Sequence, residues 1–179
     1  MIKINWGCGD KLPVGWINID HESFGNNIIS DIKQEPLPFE DGTVDLIVAN
    51  HALSMLDYQK LPVALKEFNR VLKKDGVLRV IDFDPIQAFE KYIAKDEEGL
   101  IIPDYVESTI DCKFCAYLTW YGTRLSLLTP DAWLEKLAKA DFFAIETEFG
   151  KTTLNTPNSI LATELDSRES ESNFVEGLK

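Results

Sequence analysis

The sequence predicts an α/β fold, a mainly parallel sheet with helices on its flanks. Three observations carry that expectation. Short β-prone runs alternate with segments of helical period through most of the 179 residues. Val44-Asp45-Leu46-Ile47-Val48-Ala49 is mostly apolar and β-branched, as a parallel strand covered on both faces should be. The first twenty residues hold a strand, a glycine turn and a second strand that ends on Asp20.

The elements follow in order. Ile2, Ile4 and Trp6 mark a first strand that stops at Gly7-Cys8-Gly9-Asp10, and Trp16-Ile17-Asn18-Ile19 marks the second. His21 to Asn27 reads as a loop, and Asn27 to Ser30 as a short strand ending near Asp31. Pro36 and Pro38 keep Leu37 extended, because each proline pushes the residue before it out of the helical region. Glu40-Asp41-Gly42 makes a turn into the Val44–Ala49 strand. Leu61, Ala64, Leu65, Phe68, Val71 and Leu72 then predict a helix from near Gln59 to Lys74. Lys73 and Lys74 fit its last turn, and Gly76 sits where a C-terminal cap belongs. Val77 to Phe83 is a strand, and Asp84-Pro85 opens a helix towards Lys95.

Residues 96–128 lack a regular pattern and read as an insertion on the substrate side. Thr129-Pro130 caps a helix carrying Trp133, Leu134, Leu137 and Ala138 on one face. Phe142 to Phe149 and Ser172 to Leu178 are the last two strands, with a loop from Gly150 to Pro157. One domain, residues 1–179, accounts for the length.

Composition narrows the function. Thirty acidic and 18 basic residues give a net charge of −12, which repels nucleic acid and anionic membranes unless cations cluster. No apolar run reaches membrane-spanning length, and three cysteines (Cys8, Cys112, Cys115) suit a reducing, cytoplasmic setting. A zinc site is not expected, since Cys112-x-x-Cys115 has no second pair and only His21 and His51 could join it.

A strand breaking into glycines, then a strand closing on a carboxylate, is how open α/β sheets build nucleoside sites. Gly7 and Gly9 would let the backbone approach a ligand, and the Asp20 carboxylate would accept both ribose hydroxyls. A nicotinamide reading fits less well. It wants a third glycine and a longer interval before the acidic residue, and Gly7 to Gly15 is too short for the usual crossover helix.

The order of features resembles a class I S-adenosylmethionine-dependent methyltransferase, of a small, minimal kind. The resemblance rests on Asn5 to Asp10, Gly15 to Asp20, Asp31 with Pro36 to Phe39, Phe39 to Ile47, and Glu67 to Leu78, and the tail Arg168 to Ser172 before the last strand also looks like small methyltransferases of this type. It implies a Rossmann-like seven-stranded sheet ending in a C-terminal antiparallel hairpin. It also implies S-adenosylmethionine as cofactor and S-adenosylhomocysteine as product. By that likeness Trp6, Gly7, Cys8 and Gly9 would line the cofactor. Asp20 would bind the ribose, Asp31 the adenine amino group and Ile32 the ring face, with Asn50 beside the methionine part.

Many relatives carry a Glu-His pair where this chain has Ser54-Met55, so His51 is the candidate base by position and pKa range. Asp84, Tyr117 and Tyr121 are the candidate substrate contacts, although Asp84 also suits a helix cap and the aromatic group suits a core. The expected function is methyl transfer to oxygen or nitrogen of a small molecule. The alternatives are a nucleoside-binding protein without transfer, or an enzyme that uses the cofactor for another reaction. The oligomeric state, a homodimer included, is not legible.

Overall fold

The computed structural model describes residues 1–179. Seven strands form one sheet: β1 (Lys3–Trp6), β2 (Ile17–Asp20), β3 (Ile28–Ile29), β4 (Val44–Asn50), β5 (Leu72–Phe83), β6 (Phe143–Thr147) and β7 (Ser172–Leu178). Their order is β3-β2-β1-β4-β5-β7-β6. The first five run parallel, and β7 lies antiparallel to both β5 and β6. The helices are α1 (Leu61–Val71), α2 (Pro85–Ile93), α3 (Ile110–Thr119), α4 (Pro130–Ala138) and α5 (Pro157–Ala162). The fold class and the final antiparallel pair are those the sequence predicts.

β4 shows why its run is apolar. Ile47 and Ala49 join one core and Leu46 and Val48 the other, all fully buried. The first face is covered by α1 and α4, whose Leu65, Phe68, Trp133 and Leu137 pack on it. The second face has no helix between β1 and β2. Trp16 fills part of that space, and α5 arrives from the far end of the chain to cover β4 and β5.

A buried ion cluster fastens this cover. Arg79 lies on the second face of β5 with its side chain fully buried. Its Nε and Nη2 donate to the two oxygens of Asp166 at 2.6 and 2.5 Å, and its Nη1 donates to Glu176 at 2.9 Å. Two carbonyls, of Lys151 and Glu148, accept its remaining N–H groups. Every polar group of the cluster has a partner, so removing one member would leave a buried charge uncompensated.

Two expectations need correction. The first helix stops at Val71, because Leu72 is already extended and opens β5. Val44 pairs with Leu72 and Leu46 with Val77, so residues 73–76 bulge out of the ladder. Asp75 rather than Gly76 takes the left-handed conformation (φ 64°). Gly76 is needed for a different reason, since a Cβ there would meet the Lys73 carbonyl at 2.8 Å. Second, residues 96–128 contain α3, whose apolar residues pack on α2 and the end of β5. The expected loop after Gly150 is present, and it leads into α5, a short helix with a Thr156–Ser159 capping box in a stretch the sequence left unassigned.

Arg79→Met is expected to cost about 3–5 kcal/mol of stability, by stranding Asp166 and Glu176 in the core. Urea unfolding would measure it, and a loss below about 1 kcal/mol would show that the cluster does not hold the second face.

Candidate functional site

The carboxyl ends of β1, β2 and β4 meet around the glycine turn. Gly7 and Gly9 both have positive φ (68° and 53°). Gly7 is packed so closely that a Cβ would fall 2.1 Å from Ala52 Cβ, whereas a Cβ on Gly9 would meet nothing within 4 Å. The turn is tied to β2, for the Gly7 and Cys8 amides donate to the Ile19 carbonyl at 2.8 and 3.1 Å. The Gly9 amide donates to Asp20 Oδ2 at 2.9 Å. Burial, and then the charge of Asp20, push the Cys8 thiol up to about 11, so it stays protonated at neutral pH.

Asp20 is buried and holds two loops at once. Oδ2 accepts only from Gly9, which leaves a lone pair for a hydroxyl. Oδ1 accepts from the His21 and Glu22 amides at 2.7 and 3.3 Å, and His21 Nδ1 lies 2.7 Å away. That imidazole is 59% exposed, so it can swing aside for a second hydroxyl.

Two cavities, of about 500 and 590 Å³, adjoin across this turn and share Gly7, Gly9 and His51. The first, largely apolar-walled, is lined by Trp6, Asp20, Asp31, Ile32, Met55 and Leu56, with Phe24 and Thr123 at its edge. The second is polar and is lined by Asn5, Cys8, Lys11, Asn50, Ser167 and Arg168, among others. Trp6 is positioned by an edge-on contact with Phe68, at 5.2 Å between centroids. Burial opposes ionisation of Asp31, but hydrogen bonds from Gln34 and the Lys33 amide outweigh it and hold the carboxyl below its ordinary range.

His51 sits at the end of β4 in the left-handed conformation (φ 51°), its amide bonded to Ile81 O. Ser172 Oγ donates to the Arg168 carbonyl at 2.7 Å, so its contact with His51 Nε2 at 2.7 Å requires Nε2 to be the donor. Nδ1 then carries the lone pair. Burial first, then Arg168, Arg124 and Lys11, pull the imidazole down to about 3. The pKa range expected from the sequence is corrected accordingly: His51 is neutral at physiological pH and a weak base.

The structure gathers Trp6, Gly7, Cys8, Gly9, Asp20, Asp31, Ile32, Asn50 and His51 around these cavities. The three candidate substrate contacts do not line them. Asp84 caps α2 through the Ile86 amide at 2.9 Å and also accepts from Gln87. Tyr117 is fully buried, edge-on to Phe83, with its hydroxyl donating to Glu171 at 3.0 Å. Tyr121 is exposed beyond the end of α3. Asn50 lines the polar cavity, and its amide donates to the Leu165 carbonyl at 2.5 Å and to Ser167 Oγ at 3.0 Å. Sequence reasoning gave no site role to Lys11, Arg168 or Thr123, although Lys11 directly follows the glycine turn and Arg168 opens the tail that resembles small methyltransferases.

The family described as a methyltransferase domain matches residues 12–80. UbiE of Campylobacter jejuni, a ubiquinone/menaquinone biosynthesis C-methyltransferase, is 34% identical over 70 residues, 38% of this chain. The chain spans 28% of the length of that relative. A SAM-dependent methyltransferase from Archaeoglobus fulgidus superposes with a TM-score of 0.65 at 13% identity, over 99% of this chain and 85% of its own. The fold is that of solved S-adenosylmethionine-dependent methyltransferases, and residues 12–80 match the methyltransferase-domain family. Plantazolicin methyltransferase BpumL, solved with S-adenosylhomocysteine, has a TM-score of 0.61 at 13% identity, over 99% of this chain and 76% of its own.

S-adenosylmethionine is the cofactor of this family and S-adenosylhomocysteine its product. The residues present fit that group. Space over Gly9 is open where any side chain would intrude, Asp20 keeps a free lone pair at the turn, and the apolar wall at Ile32 lies beside Asp31. No helix of the chain is long and apolar enough to cross a membrane.

Two measurements probe the turn. Gly7→Ala is expected to destabilise the fold by roughly 2 kcal/mol or more, from overpacking against Ala52 and left-handed strain. Gly9→Ala should cost only about 1 kcal/mol, from strain alone, yet weaken nucleoside binding. Equal losses of stability in the two variants would contradict this geometry.

The lowered pKa of His51 also predicts a pH dependence. Its contribution to stability is complete above pH 6.5, the ordinary value, and declines as the pH falls towards about 3, because only the unfolded chain takes the proton. His51→Asn, which tolerates the backbone conformation, should therefore flatten the acid limb of the stability curve. An unchanged limb would place the His51 pKa near its ordinary value.

Proposed function

We propose that the chain transfers a methyl group from S-adenosylmethionine to oxygen or nitrogen of a small molecule. The observation that carries this is the Asp20 carboxylate, buried at the glycine turn with one oxygen still able to accept. Asp20 would hold the ribose, Gly7 and Gly9 would give the ligand backbone contact, Ile32 would pack on the adenine and Asp31 would accept its amino group.

When bound, S-adenosylmethionine supplies an electrophilic methyl on a positively charged sulfur, so the sulfur–carbon bond breaks as the new bond forms. The protein's task is alignment, and holding the nucleophile about 3–3.5 Å from the methyl carbon supplies much of the acceleration. His51 suits an orienting role. Its Nδ1 lone pair can accept a hydrogen bond from an acceptor hydroxyl or amine, but a base of such low pKa cannot carry off the proton beforehand. This favours an acceptor that loses its proton to water after transfer, such as an amine, or a hydroxyl that is already acidic.

The acceptor would approach beside the segment from Trp120 to Leu128, which bends over the first cavity at Thr123. That segment is anchored where the Leu125 and Ser126 amides donate to the Ser54 carbonyl at 2.8 and 3.0 Å. Residues 96–128 thus serve the substrate side through their last part rather than through Tyr117. The charge of −12, with no large cationic patch evident in the sequence, supports a small molecule over nucleic acid.

Purified protein incubated with S-adenosylmethionine and a panel of amines and acidic hydroxyl compounds is expected to form S-adenosylhomocysteine, read by mass spectrometry. Binding without that product would favour a nucleoside-binding protein, and a different nucleoside product would identify another reaction. Asp20→Ala is expected to weaken S-adenosylhomocysteine by about tenfold or more, through loss of charge-assisted hydrogen bonds. Unchanged affinity by calorimetry in the folded variant would remove Asp20 from the site.

A further inference from the structure

The polar cavity on the other side of the glycine turn has no assigned ligand. Two cations stand at its mouth, Lys11 and Arg168. The Lys11 ammonium has no carboxylate within ion-pair distance, and Arg168 reaches only Glu171 Oε1, by one nitrogen at 3.4 Å. Glu171 is itself shared with the Tyr117 hydroxyl. Two carboxylates, Asp10 and Glu164, line the same mouth without an ion pair of their own; Asp166, the third, is consumed by Arg79. The set matches a zwitterion in charge.

The backbone that presents Arg168 is held in place with unusual care. Arg168 is a non-glycine residue at φ 54° and ψ 48°, a conformation that costs energy and persists where surroundings impose it. Its carbonyl accepts from Ser172 Oγ, which is in turn held by His51 Nε2. Upstream, Asn50 grips Leu165 and Ser167, and the buried Arg79 grips Asp166. Thus every residue from Leu165 to Arg168 is tied to the sheet, while the Arg168 side chain itself stays 42% exposed. Its guanidinium lies 5.9 Å from the Trp120 ring centre, which limits where it can swing.

We propose that Arg168, with Lys11, binds the carboxylate of the cofactor's amino-acid half, and that the β6–β7 excursion thereby takes over the enclosing role of the helix absent between β1 and β2. This deepens the cofactor reading above and rests on it. A nucleoside with its ribose at Asp20 must direct its 5′ substituent across Gly7 and Gly9, the residues the two cavities share. A zwitterionic substituent then leaves the apolar-walled cavity for the polar one. The same cations act on His51, which fixes their field on the shared wall of the two cavities.

The test compares S-adenosylhomocysteine with its decarboxylated analogue, which keeps the amine, by calorimetry on the full chain. The wild type is expected to bind S-adenosylhomocysteine the more tightly. Arg168→Met should weaken it about tenfold or more, as loss of a charge-assisted pair implies, and leave the decarboxylated analogue within about twofold. Arg168→Lys should restore part of the difference. Lys11→Met, an exposed loop position, gives an independent reading with the same expected sign. An Arg168→Met protein that keeps the wild-type ratio of the two affinities overturns the inference and leaves the cofactor reading standing. A wild type that binds neither nucleoside overturns the cofactor reading itself, and this inference with it.

Discussion

The Asp20 carboxylate joins two stretches of chain that would otherwise be independent loops. One oxygen receives the Gly9 amide and the other receives the amides that follow β2. This fixes the glycine turn against the end of β2 while leaving one lone pair free. The cost of burying a carboxylate is offset by those amide donors. The two cavities take their shape from this junction, since Gly7 and Gly9 form the wall between them.

The second constraint is the uncovered face of the sheet. A ten-residue passage from Gly7 to Trp16 cannot hold a crossover helix, so β1 and β4 would be left wet on one side. Trp16 and α5 fill the gap, and Arg79 fixes α5's neighbourhood through Asp166. Packing and site geometry are thereby the same problem. The segment that completes the core also carries Asn50's partners and the Arg168 side chain to the rim of the polar cavity.

The sheet was legible because its signals are local and strong. The apolar run at Val44, the Gly7–Gly9 turn and the Asp20 terminus each report a constraint within a few residues. The Asp84 and Thr129 caps worked for the same reason, and both side chains do cap their helices. What failed was non-local. Nothing in Lys73 to Gly76 announces a bulge that is set by pairing with β4 and by the Asp75 amide meeting the Lys179 carbonyl. Tyr117 looked like a substrate contact because aromatic residues cluster around it. Its partners, Phe83 and Glu171, lie 34 and 54 positions away, and they make it core. Arg168 stands in a tail, Arg168 to Ser172, that resembles small methyltransferases but carries no role in the sequence, and only the folded chain brings it beside the glycine turn.

The cofactor-site reading therefore stands on contacts encoded within the first fifty residues, and the acceptor side on contacts that only the tertiary structure reveals. A crystal structure of the chain with S-adenosylhomocysteine tests the central claim most directly. The account predicts ribose hydroxyls on the Asp20 carboxylate, the adenine against Ile32 and the amino-acid half beyond Gly9. A nucleoside bound at the β6 edge of the sheet, with Asp20 touching only its own loops, would contradict it.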